Sequence, residues 1–302
     1  MMAKIHGVIT AAATPLHADF SIDIEKLIAH CAHLIDAGGS DGITLLGTTG
    51  EATSFSLEQR LGAMKAVAKS GLPLAKMMVG TGAAALDDAV RLTRAAAELG
   101  FSGALLLPPF YYKDIDDGSL TDYVNTVISR AGVEECPVYL YHIPQNSCVP
   151  FPIEVVARLH DRHKGRLAGL KDSAGDLSYS RALIKRVPGL DVFSGNEVCL
   201  IEARASGFAG CISATTNING VLARQAWLDQ DGEKGRKAMA EAMAIHDALS
   251  RFMLFSSVKW ALADLKADAT WKIPCPPLRA LTDEEGKKLS AALAGTVYGT
   301  LK

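Results

Sequence analysis

The chain has 302 residues, 49% of them hydrophobic, which is enough for one large core or for a barrel-sized domain with an appendage. Its 31 basic and 33 acidic residues leave a net charge of -2, so neither nucleic acid nor an anionic membrane surface is expected as the main partner. The six cysteines are scattered with no C-x-x-C pair, which fits neither a disulfide framework nor a structural zinc site.

The first two thirds of the chain alternate short apolar runs with amphipathic ones. Strands are predicted at 7–12, 42–46, 75–79, 103–107, 138–141, 167–170, 191–194 and 210–213. Several are apolar throughout, as a strand covered on both faces should be. Helical spacing occupies 22–37, 57–69, 84–99, 120–130, 153–160, 178–187 and 198–205. Ser56 with Gln59 forms a capping box, and Gly100 supplies a helix stop. Beyond about residue 219 the pattern turns helical, with a break near 229–233, a proline-containing loop at 266–277 and a last helix at 282–294 opened by Thr282 and Glu285.

Eight strands alternating with helices predict a (β/α)8 barrel over residues 1–222, with a C-terminal helical extension over 223–302. An open doubly wound sheet is the alternative. It lacks support because no G-x-G-x-x-G follows the first strand, and Gly80-Thr81-Gly82 reads as a loop turn.

A barrel gathers all its strand C-termini on one face, where the active site lies. Strand two ends in Gly47-Thr48-Thr49-Gly50-Glu51, whose hydroxyls and closely approachable backbone suit a small carboxylate. Strand four ends in Pro108-Pro109-Phe110-Tyr111-Tyr112. In strand five, alternation places Tyr139 and Tyr141 on one side, with Leu140 and His142 opposite, and Pro144 stops the pairing. Strand six delivers Lys171 at its tip. Alone, such a lysine reads as a surface residue at a strand-to-loop junction. Beside tyrosines and threonines it suits imine chemistry, since a desolvated lysine loses its proton readily and attacks a carbonyl. Strand seven ends in Ser194-Gly195-Asn196-Glu197, and strand eight carries Ile212. No metal-ligand cluster and no Ser-His-Asp set stands at this rim.

Taken in order, Gly47-Thr48-Thr49-Gly50-Glu51, Phe110-Tyr111-Tyr112, Tyr141-x-x-Pro144, Gly169-x-Lys171-Asp172 and Ser194-Gly195 resemble the N-acetylneuraminate lyase and dihydrodipicolinate synthase family. The resemblance implies a class I pyruvate-dependent aldolase, commonly tetrameric, in which pyruvate or a 2-keto acid is held as a Schiff base on Lys171 without a separate cofactor. It assigns Tyr141, Thr48 and Tyr111 to a proton relay, with Tyr111 reaching across a subunit interface. Gly47 and Thr49, with Thr48, would seat the pyruvate carboxylate, and Ile212 would offer a backbone carbonyl near the imine.

The chain departs from the synthase pattern at Asn146, where synthases usually carry an arginine that grips the aldehyde's carboxylate. A neutral amide supplies no charged fork. Ser173, Asn196 and Glu197 stand where sugar-acid aldolases often bind hydroxyls, although loop capping explains them equally well. The expected activity is therefore carbon–carbon cleavage or formation in a 2-keto-3-deoxy sugar acid or a related 2-keto acid. The alternatives are dihydrodipicolinate synthase itself, a keto-deoxy-sugar-acid dehydratase, and a ligand-sensing barrel without turnover. The N-terminus lacks the apolar core of a signal peptide and no segment is long enough to span a bilayer, so the cytoplasm is the expected compartment.

Overall fold

A computed structural model describes residues 4–132 and 136–301. The start of the N-terminal stretch read for a targeting signal therefore lies outside the described residues. Eight parallel strands close into a barrel in simple sequential order. They are β1 (Gly7–Ala11), β2 (Gly42–Leu45), β3 (Met77–Gly80), β4 (Gly103–Leu106), β5 (Val138–His142), β6 (Leu167–Asp172), β7 (Asp191–Ser194) and β8 (Gly210–Ser213). Every strand residue is buried, because helices cover the outer face and side chains fill the inner one.

The period-two alternation sorts each strand between two cores. Ile9, Met78, Leu105, Tyr139, Phe193 and Ile212 point into the barrel. Val8, Val79, Leu106, Leu140, Val192 and Cys211 join the larger layer between the sheet and its helices. Inside the barrel two strand glycines make room for Tyr139. A Cβ on Gly169 would lie 2.6 Å from the Tyr139 ring, and one on Gly103 would lie 2.9 Å from it.

The helices that cover the barrel are α1 (Ile24–Asp36), α2 (Leu57–Lys69), α3 (Leu86–Glu98), α4 (Asp117–Ala131), the single turn α5 (Pro144–Ser147), α6 (Ile153–Arg162), α7 (Leu177–Arg186) and α8 (Ala203–Ser206). Ser56 and Gln59 close the expected capping box on α2. The predicted helix at 198–205 is instead a 3-10 turn, Glu197–Cys199, followed by α8. The Asn196 side chain accepts from Val198 N and fixes the first turn as a tight one.

The extension comprises α9 (Thr216–Leu228), α10 (Glu233–Leu249), α11 (Leu254–Leu265) and α12 (Asp283–Ala294). Position 222/223 falls inside α9, which packs against both β1 and α10 and so joins the barrel to the extension. Thr282 and Glu285 form the second capping box. A separate core of Ile245, Leu249, Val258, Leu262, Trp271 and Leu289 holds these helices together. His30 is buried against this junction. Its Nε2 lies 2.9 Å from Asn217 Oδ1, and burial pushes its pKa down to about 3. No helix among the described residues is long and apolar enough to cross a membrane.

Candidate active site

The register between β5 and β6 sets Tyr141 directly beside Lys171. Both point into the mouth of the barrel, above Tyr139 and Gly169, which are two residues earlier on the same strands. Strand β6 runs two residues further than the apolar pattern suggested, so Lys171 lies within the sheet, paired to β5 on one side and β7 on the other. Its side chain is 5% exposed. The ammonium donates to the Tyr141 hydroxyl at 3.1 Å and lies 4.3 Å from the centre of that ring.

Thr48 comes from the loop after β2 and donates to the same Tyr141 hydroxyl at 3.3 Å. Burial alone would raise the Tyr141 pKa. The charge of Lys171 and hydrogen bonds from Thr48, Lys171 and Ser173 outweigh it, so the phenol lies below its ordinary value. Two strand side chains and one from a loop thus form a continuous path for a proton. The small cavity beside them is lined by Gly47, Thr48 and Tyr141.

A larger cavity of about 260 Å³ opens above Lys171. Thr49, which is buried, borders it with Tyr141, Asn146, Ser173 and Asn196. The loops that shape this cavity need close approaches. A Cβ on Gly195 would lie 2.3 Å from Ser173 Oγ, so the tips of β6 and β7 can meet only at a glycine. Pro144 opens α5, and that turn carries Gln145 and Asn146 to the rim. Gln145 Nε2 donates to the Ser173 carbonyl at 2.5 Å. Asn196 both borders the cavity and caps its own loop, its Oδ1 accepting from Val198 N and Ser194 Oγ.

Apart from Lys171, no lysine or arginine among the described residues lines the cavity. Among the described residues, no group of three His, Cys, Asp or Glu side chains is placed to hold a metal ion.

The model of the dihydrodipicolinate synthetase family matches residues 4–295. The chain belongs to that family. It is 35% identical to an uncharacterised DapA-like lyase of Chloroflexus aurantiacus, over 99% of both chains. A dihydrodipicolinate synthase of Agrobacterium tumefaciens has a similar crystal structure, with a TM-score of 0.89 and 26% identity, covering 97% of this chain and 99% of that one. A variant of 2-keto-3-deoxygluconate aldolase from Sulfolobus solfataricus is also similar, with a TM-score of 0.85 and 25% identity over 98% and 97% of the two chains. The protein is accordingly an enzyme, a lyase of the Schiff-base, pyruvate-dependent aldolase kind.

Within this family member the structure gathers Lys171, Tyr141, Thr48, Thr49 and Gly47 at one point, and Ser173, Asn196 and Asn146 around the cavity above. Ile212 faces the barrel interior, fully buried. Tyr111 stands outside its own chain's relay, as a reach across a subunit interface requires; it is 72% exposed and packs edge-on against Tyr112. One expectation is corrected. Glu197 does not face the cavity. Its carboxylate is buried, accepts from Ser213 Oγ at 3.2 Å and from the Thr215 hydroxyl, and serves to hold the start of α9 under β8. His142 lies in the wall, as alternation implies, with Nδ1 accepting from Phe151 N and the ring stacked on Tyr179 at 4.1 Å.

Sequence reasoning missed Gln145, Asp176, His246, Leu254 and Phe255, which also line the cavity. Gln145 could have been found, since it sits beside Asn146 in the same turn. His246, Leu254 and Phe255 come from α10 and α11, and no motif marks them.

Proposed function

We propose that the enzyme makes or breaks a carbon–carbon bond between pyruvate and an uncharged, hydroxylated aldehyde, the substrate being a 2-keto-3-deoxy sugar acid. The observation that carries this reading is a cavity above Lys171 with no second lysine or arginine among the described residues that line it, where Asp172 and Asp176 add negative charge that disfavours a carboxylate-bearing aldehyde. Asn146 stands where a charged fork would grip a carboxylate, and Gln145, Ser173 and Asn196 offer uncharged donors and acceptors.

In the cleavage direction the Lys171 amine adds to the C2 carbonyl. The C–N bond forms, water leaves, and an iminium remains. Loss of the C4 hydroxyl proton lets the C3–C4 electron pair move into the iminium, and the aldehyde departs. The resulting enamine takes a proton at C3, and water then adds to the iminium and releases pyruvate. Tyr141 carries the protons, exchanging with Lys171 at 3.1 Å and with Thr48 at 3.3 Å. The electron sink is the protein-bound imine itself, which needs no dissociable cofactor. Thr48 and Thr49 seat the pyruvate carboxylate through hydroxyl and backbone donors, and Ile212 is the residue whose backbone carbonyl the family resemblance assigns to the imine.

Tyr111 of a second copy completes the relay in a homotetramer, which accounts for two adjacent exposed tyrosines after β4. Mixing inactive Tyr111→Phe and Lys171→Ala chains then restores activity in hybrid assemblies; no recovery overturns the shared relay. The six cysteines are all free, in keeping with a reducing cytoplasm.

The test of the substrate class is a panel of 2-keto-3-deoxy sugar acids, phosphorylated analogues and aspartate semialdehyde with pyruvate, with products resolved by mass. Cleavage of the unphosphorylated sugar acids to pyruvate and aldehyde is expected. Preferential condensation with aspartate semialdehyde would establish the synthase reading instead, and loss of water without cleavage would establish a dehydratase.

A further inference from the structure

The loop that carries Thr48 and Thr49 is held from outside the barrel. Its first and last residues, Leu46 and Glu51, both lie in the left-handed region, at φ 51 and φ 58. That conformation is unfavourable for a residue other than glycine, so the surroundings must fix it. Glu51 is the point of attachment. Its side chain is fully buried and pairs with the ammonium of Lys259 on α11, whose side chain is 1% exposed. Glu51 Oε2 also accepts from Cys275 N at 2.6 Å, and Lys259 donates to the Ile273 carbonyl at 2.7 Å. One charge pair therefore ties the loop to two segments of the extension.

From Glu51 the connection runs inward. Its backbone N–H donates to the Thr48 carbonyl at 3.0 Å, and the Thr48 hydroxyl reaches Tyr141. On α11, Phe255 is one turn before Lys259 and lines the cavity with Leu254, so one helix both walls the substrate space and grips the loop. A buried ion pair is a weak device for stability, since an apolar pair of equal volume often does as well, whereas it fixes one geometry strictly.

We propose that Glu51 and Lys259 are positioning residues through which the helical extension sets Thr48 and Thr49 against the Schiff-base lysine. The proposal rests on the imine reading of Lys171, and the test separates the two. Wild type, Lys259→Met and the double variant Glu51→Gln/Lys259→Met are incubated with a pyruvate series and borohydride, and adduct at Lys171 is followed by mass while Tm is measured on the same samples. Lys259→Met leaves a carboxylate buried without its partner, and the largest drop in Tm is expected there. The double variant is expected to regain most of that Tm while its half-saturating pyruvate concentration rises tenfold to about a hundredfold, since displacements near 1 Å carry such penalties. A double variant that traps pyruvate at wild-type concentrations overturns the proposal. So does one that fails to fold, which would make the pair a folding element. Absence of adduct in wild type would overturn the imine reading itself.

Discussion

Replacing Tyr141 by Phe removes one oxygen and leaves the ring. The ring is 4% exposed and keeps its packing, so the loss is confined to the hydroxyl's hydrogen bonds, from Lys171 at 3.1 Å, Thr48 at 3.3 Å and Ser173. At about 0.5–1.5 kcal/mol for each hydrogen bond, the cost to stability is ~2–4 kcal/mol, and the chain still folds. The cost to chemistry is larger, because proton transfer by a placed group contributes ~10²–10⁴-fold, or about 3–5 kcal/mol of barrier. The assay is the rate of borohydride-trapped pyruvyl adduct at Lys171, by quenched flow and mass, against pH. In wild type the profile should carry an ionisation below the ordinary phenol value, because the Lys171 charge and the Thr48, Lys171 and Ser173 hydrogen bonds outweigh burial at Tyr141. The Phe variant should be slower by at least a hundredfold and should lack that limb. A variant that traps within twofold of wild type with the same pH profile would refute the relay.

Asn146→Arg should turn the enzyme toward aldehydes bearing a carboxylate, by about 10–100-fold in the ratio of kcat/KM values, since a charged hydrogen bond is worth ~1.5–3 kcal/mol; an unchanged ratio on a paired substrate panel would remove Asn146 from the aldehyde site. Glu197→Ala should lower stability by about 1–3 kcal/mol by removing the acceptor of the Ser213 and Thr215 hydroxyls, which keep only their mutual contact at 3.0 Å, with no change in half-saturating pyruvate; a shift in pyruvate affinity at unchanged Tm would contradict the structural role. His30 has a folded pKa of about 3 against an ordinary 6.5, so as pH falls through this window the unfolded state takes a proton that the folded state refuses. Denaturant titrations should show about 2 kcal/mol lost between pH 6.5 and 5 through this group, and His30→Gln should flatten that slope; equal slopes would contradict it.

Much of the fold was legible because it depends on local period. Strand alternation placed Tyr139 and Tyr141 inside the barrel and His142 in the wall, and capping boxes marked the starts of α2 and α12. The tips of the strands were less legible. Lys171 and Asp172 are polar and so seemed to end β6, yet their backbones stay paired to β5 and β7. No hydrophobicity pattern reports a backbone hydrogen bond. Contacts between distant segments were least accessible. Thr48 meets Tyr141 because the barrel closes, and that geometry followed only once eight strands were assumed. Lys259, flanked by Val258 and Trp260, looks like any helix lysine until the fold buries it on Glu51. Glu197 was misassigned because its place in a polar turn resembles that of a hydroxyl-binding group. The deciding fact, two hydroxyl donors from the start of α9 and the end of β8, is tertiary.

The central claim is that Lys171 becomes covalently bonded to a 2-keto acid. Peptide mass mapping after incubation with saturating pyruvate and borohydride tests it most directly. A single reduced pyruvyl group on Lys171, absent without borohydride and absent in Lys171→Ala, is the predicted result. An unmodified Lys171, or label spread over exposed lysines such as Lys237 and Lys288, would contradict it.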